Sequence, residues 1–232
     1  MVLQKTKRIS LTLVLFLSLN GIYALDISEI AFEAYLRGEF NRSSNYSGDI
    51  SVIGELELNN KYVFRAGTSY GRSLDDTDFK VFSSANVNPL TRIPVYFSLA
   101  WIYNNFPEYE VHSHSFIPAI SLNARRAGIS AGINFRTTTF FDEITIIESI
   151  FSFYGYFNFV NSETLRLGLS CGNFGEYYAR NMGSYSIKFI SSVRLDRSWL
   201  IMNELELMQS GGDGLSTTLY GFAWRGGARF SW

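Results

Sequence analysis

Apolar and polar residues alternate along most of this chain, in stretches of about ten residues separated by short polar breaks. Between residues 95 and 104, for example, large apolar side chains fill every second position and mostly smaller side chains fill the positions between. A period of two predicts β-strands with one apolar face. Because no sustained helical period and no run of eighteen apolar residues follows residue 24, we predict an all-β chain.

Twelve such stretches are predicted as strands. They lie at about residues 29–40, 50–58, 62–71, 79–87, 95–104, up to 123, 127–136, 147–159, 165–172, 185–195, 199–207 and 219–232. The fourth is the weakest, so ten strands are the alternative. Longer polar loops, at 41–49, 72–78, 137–143, 173–183 and 210–214, are predicted to alternate with tight turns such as Asn59-Asn60. An even strand number with short turns at the end that holds both termini is typical of a closed antiparallel transmembrane barrel.

The last predicted strand, LYGFAWRGGARFSW, has one aromatic face and one charged face. The aromatic parity holds Tyr220, Phe222, Trp224, Ala228, Phe230 and Trp232, and the other parity holds Arg225 and Arg229. This pattern resembles the C-terminal strand of bacterial outer-membrane β-barrel proteins. The resemblance implies a location in the outer membrane, with outer-membrane lipid around the barrel. It also implies that the barrel-assembly machinery reads Phe230 and Trp232.

The first 24 residues have the pattern of a secretory signal peptide. Three basic residues precede the apolar run Ile9 to Leu19, and cleavage is expected after Ala24, which leaves residues 25–232 as one barrel domain. Removing this segment lowers the 20 Lys and Arg by three and leaves the 21 Asp and Glu unchanged. The resulting acidic balance offers no basic surface for nucleic acid. Cys171 is the only cysteine, which excludes an intramolecular disulfide.

A soluble secreted sandwich or lipocalin-like barrel would also alternate, with its apolar face inside and its polar face in water. Lysine should then be frequent on the polar face. In this chain the polar parity instead carries mostly Gly, Ser and Ala with a few Glu and Arg, and lysine is scarce in the strands. Small side chains suit a crowded lumen better than an open surface, so the composition favours the membrane barrel.

If the apolar parity faces lipid, the charged residues of the other parity line the lumen. Neighbouring strands then tend to carry charges of opposite sign, close enough to pair. The candidates are Glu33, Arg37, Glu55, Glu57, Arg65, Arg166, Lys188, Arg194, Glu204, Glu206, Arg225 and Arg229, with Glu29 and Glu39 on the same face. The fifth to seventh strands instead present Ser98, Ala100, Ser113, Ser115, Ser121, Gly128, Ser130 and Gly132. We therefore predict a lumen with a charged wall opposite a small, neutral one.

Two interpretations of the charged wall are open. In one, the charges form a salt-bridge ladder that fixes the register and plugs a structural or surface-binding barrel. In the other, incompletely neutralised charges line a narrow water-filled pore for small polar or anionic solutes. A barrel of about eight strands is filled by side chains and one of sixteen or more leaves a channel, so strand number does not decide. The resemblance to small twelve-stranded outer-membrane channels favours the pore, which needs no cofactor.

His112 and His114 are the only histidines, in the stretch HSHS of the sixth strand. Some outer-membrane barrels are lipid hydrolases with a histidine and a serine on the outer wall. Here the alternation places the histidines and Ser113 on opposite faces, which prevents the imidazole from activating the hydroxyl. The two histidines are also weak candidates for a metal, because no acidic third ligand is evident on their face. We expect them to face lipid headgroups and assign no catalytic residue.

Overall fold

The computed structural model describes residues 26–41, 47–71, 76–87, 94–141, 143–174, 184–211 and 217–232. Within them twelve antiparallel strands close into one barrel, in which each strand pairs with its sequence neighbours and the first also pairs with the last. The strands are β1 (Ile27–Asn41), β2 (Ser47–Leu58), β3 (Tyr62–Gly71), β4 (Asp76–Asn86), β5 (Val95–Phe106), β6 (Val111–Asn123), β7 (Ala127–Phe140), β8 (Ile144–Asn161), β9 (Leu165–Gly172), β10 (Tyr185–Arg194), β11 (Trp199–Gly211) and β12 (Thr217–Ser231). The predicted twelve-stranded barrel is confirmed, and the alternative of ten strands is wrong. The predicted signal peptide, residues 1–24, lies outside the described residues.

The barrel wall is apolar outside and polar inside. Large side chains such as Ile129 and Phe157 are more than half exposed on the outer surface, whereas Glu33 and Ser113 are buried on the inner one. In water this distribution would leave a large apolar area hydrated, at a free-energy cost of about 25 cal/mol per Å². Lipid tails remove that cost, so the wall fits a bilayer. Among the residues that the structure describes, no helix is long and apolar enough to cross a membrane.

Aromatic rings pack in a row across the seam where the barrel closes. The ring centroids are 5.7 Å apart for Phe32 and Trp232, 5.5 Å for Phe230 and Trp232, and 5.0 Å for Trp199 and Phe230. The row therefore joins β1, β12 and β11 on the outer surface, at the end of the barrel that holds Asp26 and Trp232. Aromatic rings of this kind are typical of the membrane interface.

The hairpin of β7 and β8 is longer than the sequence predicted. Residues 137–143 were expected to form a loop, but β7 continues to Phe140 and β8 begins at Ile144. The extra residues include three threonines, which are β-branched and favour strands. Thr139 and Thr145 face each other across the hairpin with their hydroxyl oxygens 3.3 Å apart. The side-chain bond extends the ladder past the polar break that suggested a loop.

The expected alternation of short turns with long loops is wrong at four connections. At the end that holds both termini, the eight residues 87–94 separate β4 from β5. At the other end, no more than four residues separate β3 from β4, β5 from β6 and β7 from β8. The connection from β5 to β6 forms a single 3-10 turn, Pro107–Tyr109, in which proline supplies the fixed φ of the first turn.

The register of the last hairpin slips by one residue near its tip. Gln209 of β11 faces Leu219 and Met208 faces Gly221, so the register passes over Tyr220 at this point. Leu219 is half exposed, although the sequence pattern assigned Tyr220 to the outer face. A β-bulge of this kind shifts the alternation on one side of the slip. The pattern from Phe222 onward is unaffected.

Gly227 of β12 allows β1 to approach closely at the seam. A Cβ atom added at this position would overlap the backbone oxygen of Ala34 and the ring of Tyr35. Because the oxygen belongs to a paired strand, it cannot move aside without disturbing the ladder.

We expect Gly227→Ala to destabilise the folded barrel by about 1–3 kcal/mol, the usual cost of overpacking. The measurement is urea unfolding of the refolded barrel in lipid vesicles, followed by tryptophan fluorescence. Gly54→Ala is the matched control, since its new Cβ would lie 3.6 Å from the ring of Phe32, at ordinary contact distance. Equal stability of the two variants would contradict this account of the seam.

Candidate functional site in the barrel lumen

Most of the predicted lumenal charges meet on one side of the barrel. We call this side the charged wall; it comprises the inward-facing ionisable side chains of β10, β11, β12, β1, β2 and β3. Strand register places opposite charges directly across from each other in the pairs Glu33 with Arg229, Glu55 with Arg65, Lys188 with Glu206, and Glu204 with Arg225. The alternation predicts that these side chains face inward, and the register fixes which of them are neighbours.

Arg229 is the centre of the charged wall. Its Nη1 donates to Glu33 Oε1 at 2.8 Å, and its Nη2 donates to Glu29 Oε1 and Glu55 Oε1 at 2.6 Å each. Arg65 forms an ion pair with Glu55 and lies 3.9 Å from Glu33. Two guanidinium groups therefore hold three carboxylates from β1 and β2. Charge-assisted bonds of this length are among the stronger ones in proteins.

A second group of charges lies on β1, β10 and β11. Arg37 Nη2 lies 3.0 Å from Glu39 Oε2 and 3.1 Å from Glu206 Oε2. Lys188 Nζ lies 3.3 Å from the other oxygen of Glu206. The buried carboxylate of Glu206 thus has a cation on either side, which compensates for its loss of hydration.

Tyr35 links the group around Arg229 to the ion pair of Arg225 and Glu204, and the sequence pattern did not single it out. Its hydroxyl donates to Glu33 Oε2 at 2.7 Å, and its ring lies 3.6 Å below the guanidinium carbon of Arg225. Arg225 also pairs with Glu204 at 3.7 Å. A cation over a tyrosine ring is attracted by the electrons of the ring. An inward-facing tyrosine in a run of charged residues was the available signal.

Three of the predicted lumenal charges stand outside these ion pairs. Glu57 faces the lumen but forms no salt bridge with any residue that the structure describes. Arg166 and Arg194 have inward parity, yet they lie at the end of the barrel that holds the termini and are exposed. Arg194 Nη1 donates to the backbone oxygen of Arg197 at 3.3 Å.

The opposite side of the lumen is the neutral wall, formed by the small inward-facing residues of β5, β6 and β7. Hydroxyl and amide groups pair there: Ser121 Oγ and Ser130 Oγ are 2.6 Å apart, and Asn104 Nδ2 donates to Ser113 Oγ at 3.3 Å. Ser113 is fully buried. The predicted contrast between a charged and a small neutral side is therefore present in the structure.

An apolar patch interrupts the neutral wall. Ala100, Ile102 and Ile117 are buried together, and Phe82 and Phe174 pack against them. Isoleucine at an inward position of β5 and of β6 was visible in the sequence as a break in the alternation. Phe174 had no such signal, because it follows β9 in a connection without alternation, and only the folded structure brings it to the patch.

Asn173 fixes the entry of that connection into the lumen. Its Oδ1 accepts the backbone N–H of Phe153 at 2.8 Å, and its Nδ2 donates to the backbone oxygen of Phe151 at 2.8 Å. The amide side chain thus takes the place of one further residue of β9 beside β8. This fixed position directs Phe174 toward the apolar patch.

One ion pair lies on the neutral side and was absent from the predicted set. Arg136 of β7 is buried and lies 3.8 Å from Glu148 of β8. The two residues face each other in register, just outside the unpredicted extension of the β7 and β8 hairpin. Both lie within strands that the alternation predicted, but the register that makes them neighbours was not predicted.

The histidines face away from the serines beside them. His114 is exposed on the outer surface, whereas Ser113 and Ser115 are buried on the lumenal side. The imidazole of His114 packs against Trp101 and Tyr103, with centroid distances of 6.0 and 4.9 Å. The stretch therefore cannot form a serine and histidine pair. The described residues contain no group of three or more His, Cys, Asp or Glu side chains that could hold a metal ion.

Solved structures of porins have the same fold as this chain. The NanC porin matches with a TM-score of 0.61 and 10% identity, covering 85% of this chain and 98% of that one. The KdgM porin matches with a TM-score of 0.58 and 8% identity, covering 86% and 99%. A KdgM porin in complex with disordered oligogalacturonate matches with a TM-score of 0.57 and 8% identity. No protein-family model and no curated protein matches the sequence. The chain thus has the fold of the outer-membrane barrels that its last strand resembles.

We expect Arg229→Ser to destabilise the barrel by about 3–5 kcal/mol, because it leaves Glu33 and Glu55 buried without their main counter-charge. Urea unfolding in vesicles measures the loss. Arg166→Ser removes the same charge from an exposed site and should change stability by no more than about 0.5 kcal/mol. A similar loss in both variants would contradict the central role of Arg229.

Proposed function

We propose that the chain forms a narrow passive channel of the bacterial outer membrane for small polar or anionic solutes. The observation that carries this proposal is the solvent exposure of Arg65. Its side chain faces the lumen from the middle of β3 and is paired with Glu55, yet it is 43% exposed. A charged side chain that is exposed to this extent on the lumenal face of the wall needs water in the lumen, because the free energy of an ion in a dry interior is high.

Other inward-facing cations support a wet lumen. The side chains of Lys188 and Arg225 are 23% and 27% exposed. By contrast, Ile117 and Met208 are fully buried on the inner face. These exposures support a cross-section that side chains fill only in part. This combination supports a narrow channel, between the filled barrels of eight strands and the wide porins.

The solute class follows from the cations that water can reach. Arg65, Lys188 and Arg225 offer donors to a passing anion, while their carboxylate partners reduce the net charge and keep binding weak enough for release. One structural neighbour is a porin in complex with oligogalacturonate, whose sugar units carry carboxylates. That likeness supports an anionic solute here.

The alternative is a plugged barrel with a structural or surface-binding role. The ion pairs around Arg229 favour it, because they fill their part of the lumen with strongly paired side chains. A lipid hydrolase receives no comparable support, since His114 and the neighbouring serines lie on opposite sides of the wall.

Single-channel recording separates the two functions. The mature protein, refolded and inserted into a planar lipid bilayer, should show discrete conductance steps and a reversal potential that indicates preference for anions. Folded protein is recognised by its altered mobility in electrophoresis without heating. Folded protein that inserts and yet conducts nothing would overturn the channel and leave the plugged barrel.

Replacing an exposed lumenal cation should change selectivity. We expect Lys188→Gln and Arg225→Ser to shift the reversal potential toward cations, while the barrel still folds, because Glu206 keeps Arg37 as a partner and Glu204 is partly hydrated. Lys61→Gln is the matched control, since Lys61 lies in the turn between β2 and β3. An unchanged reversal potential in both lumenal variants would contradict their contact with the permeating ions.

We also propose that the assembly machinery reads Phe230 and Trp232. The indole of Trp232 is 59% exposed and available to a partner, whereas its backbone N–H donates to Ile30 at 3.0 Å. Trp232→Ala should therefore lower the yield of inserted barrel in cells several-fold more than it lowers the yield of refolding in vitro. Trp199→Ala, in the same aromatic row, is the control. Equal losses in cells and in vitro would contradict a recognition role.

A further inference from the structure

Five arginines occupy three neighbouring hairpins at the end of the barrel that holds the termini. We call them the arginine arc. Two lie in the turn between β6 and β7, one begins β9, one ends β10 and one lies in the turn between β10 and β11: Arg125, Arg126, Arg166, Arg194 and Arg197. All five are exposed. None of the five is among the cations on which the proposed channel function rests.

Hydrogen bonds hold these hairpins side by side. Asn161 Nδ2 donates to the backbone oxygen of Arg125 at 2.7 Å, and the backbone N–H of Asn158 donates to the backbone oxygen of Arg126 at 2.7 Å. On the other side, the backbone N–H of Arg194 donates to the oxygen of Thr164 at 2.8 Å. The backbone that carries the five arginines is therefore fixed, and Arg194 Nη1 also donates to the backbone oxygen of Arg197 at 3.3 Å.

The arc lacks the counter-charges that the charged wall has. None of its five arginines forms a salt bridge with a residue in the described part of the chain. Two acidic residues share these turns. Glu163 is exposed, and Asp196 Oδ1 already accepts the N–H groups of Ser198 and Trp199 at 2.7 and 2.8 Å. Positive charge is therefore in excess over these turns.

Two members of the arc face the mouth of the lumen. Arg166 of β9 and Arg194 of β10 have inward parity, and Arg166 is paired in register with Ser192. The Cα atoms of Arg166 and Arg194 are thus diagonal neighbours, about 7–8 Å apart, a spacing that two long side chains can span. Guanidinium groups bind phosphate through paired N–H donors, and two converging groups can share one phosphate-bearing anion.

We propose that the arginine arc binds phosphate-bearing anions. Two sources can supply the phosphate: a soluble anion at the mouth, or the headgroup of an anionic lipid. Arg197 lies two residues from Trp199, whose ring belongs to the row of aromatic rings. Because such rings lie at the level of the lipid headgroups, we expect headgroups close to the arc. Any role of the site in solute passage rests on the proposed channel, whereas binding itself does not.

The test is calorimetric titration of inorganic pyrophosphate into the full barrel in phosphatidylcholine nanodiscs, with sodium sulfate of equal ionic strength as the baseline. We expect saturable binding that weakens about tenfold in the double variant Arg166→Gln with Arg194→Gln. Lys61→Gln, at the same end but outside the arc, should bind as the unchanged protein does. Because titration needs no conductance, a barrel that conducts nothing can still pass this test.

The same titration in nanodiscs that contain phosphatidylglycerol identifies the source. If headgroups occupy the arc, pyrophosphate binds more weakly there, and the anionic lipid raises the melting temperature of the unchanged barrel but not of an Arg125→Gln, Arg126→Gln, Arg197→Gln variant. If the lipid has no effect, the ligand is a soluble anion. Absence of pyrophosphate binding together with absence of lipid stabilisation would overturn the proposal, as would binding that both arginine variants retain.

Discussion

The pairing of β1 with β12 is the contact on which the rest of the structure depends. Lipid offers no hydrogen-bond partner to a free strand edge, so the first and last strands must satisfy each other. They do so over the register from Ala31 with Ser231 to Asn41 with Gly221. The close approach at Gly227, the row of aromatic rings and the ion pairs of Arg229 all lie on this seam. The residues that close the barrel therefore also carry its row of aromatic rings on the outer surface and the centre of its lumenal charge.

The lumen derives its asymmetry from the same seam. Arginines of β12 point inward beside glutamates of β1 and β2, so the strongest charges gather where the barrel closes. Strands distant from the seam carry hydroxyl groups and an apolar patch around Ile117 instead. A solute that passed through the proposed channel would meet charge on one side and small or apolar groups on the other.

Much of the fold was predictable because a strand has a period of two. That period set the strand number and the facing of Glu33, Arg225 and His114. It could not set where hairpins end, because cross-strand pairs such as Thr139 with Thr145 depend on register between strands. The extra residues of the β7 and β8 hairpin were missed for this reason, and the pairing of Arg136 with Glu148 was missed because it depends on the register between two predicted strands. Phe174 reaches the lumen from a connection, where no alternation exists to be read.

The bonds of Arg229 also constrain the order in which the chain can fold. They join residues 174, 196 and 200 positions apart, and contacts of such separation form late, after a large loss of chain entropy. Until β12 arrives, Glu29, Glu33 and Glu55 lie on the adjoining strands β1 and β2, with Arg65 of β3 as the cation beside Glu33 and Glu55. These three carboxylates then have one guanidinium group among them, so the open edge of an incomplete barrel carries excess negative charge. Arg229 supplies the second guanidinium group when β12 pairs with β1, and the attraction favours closure at this seam.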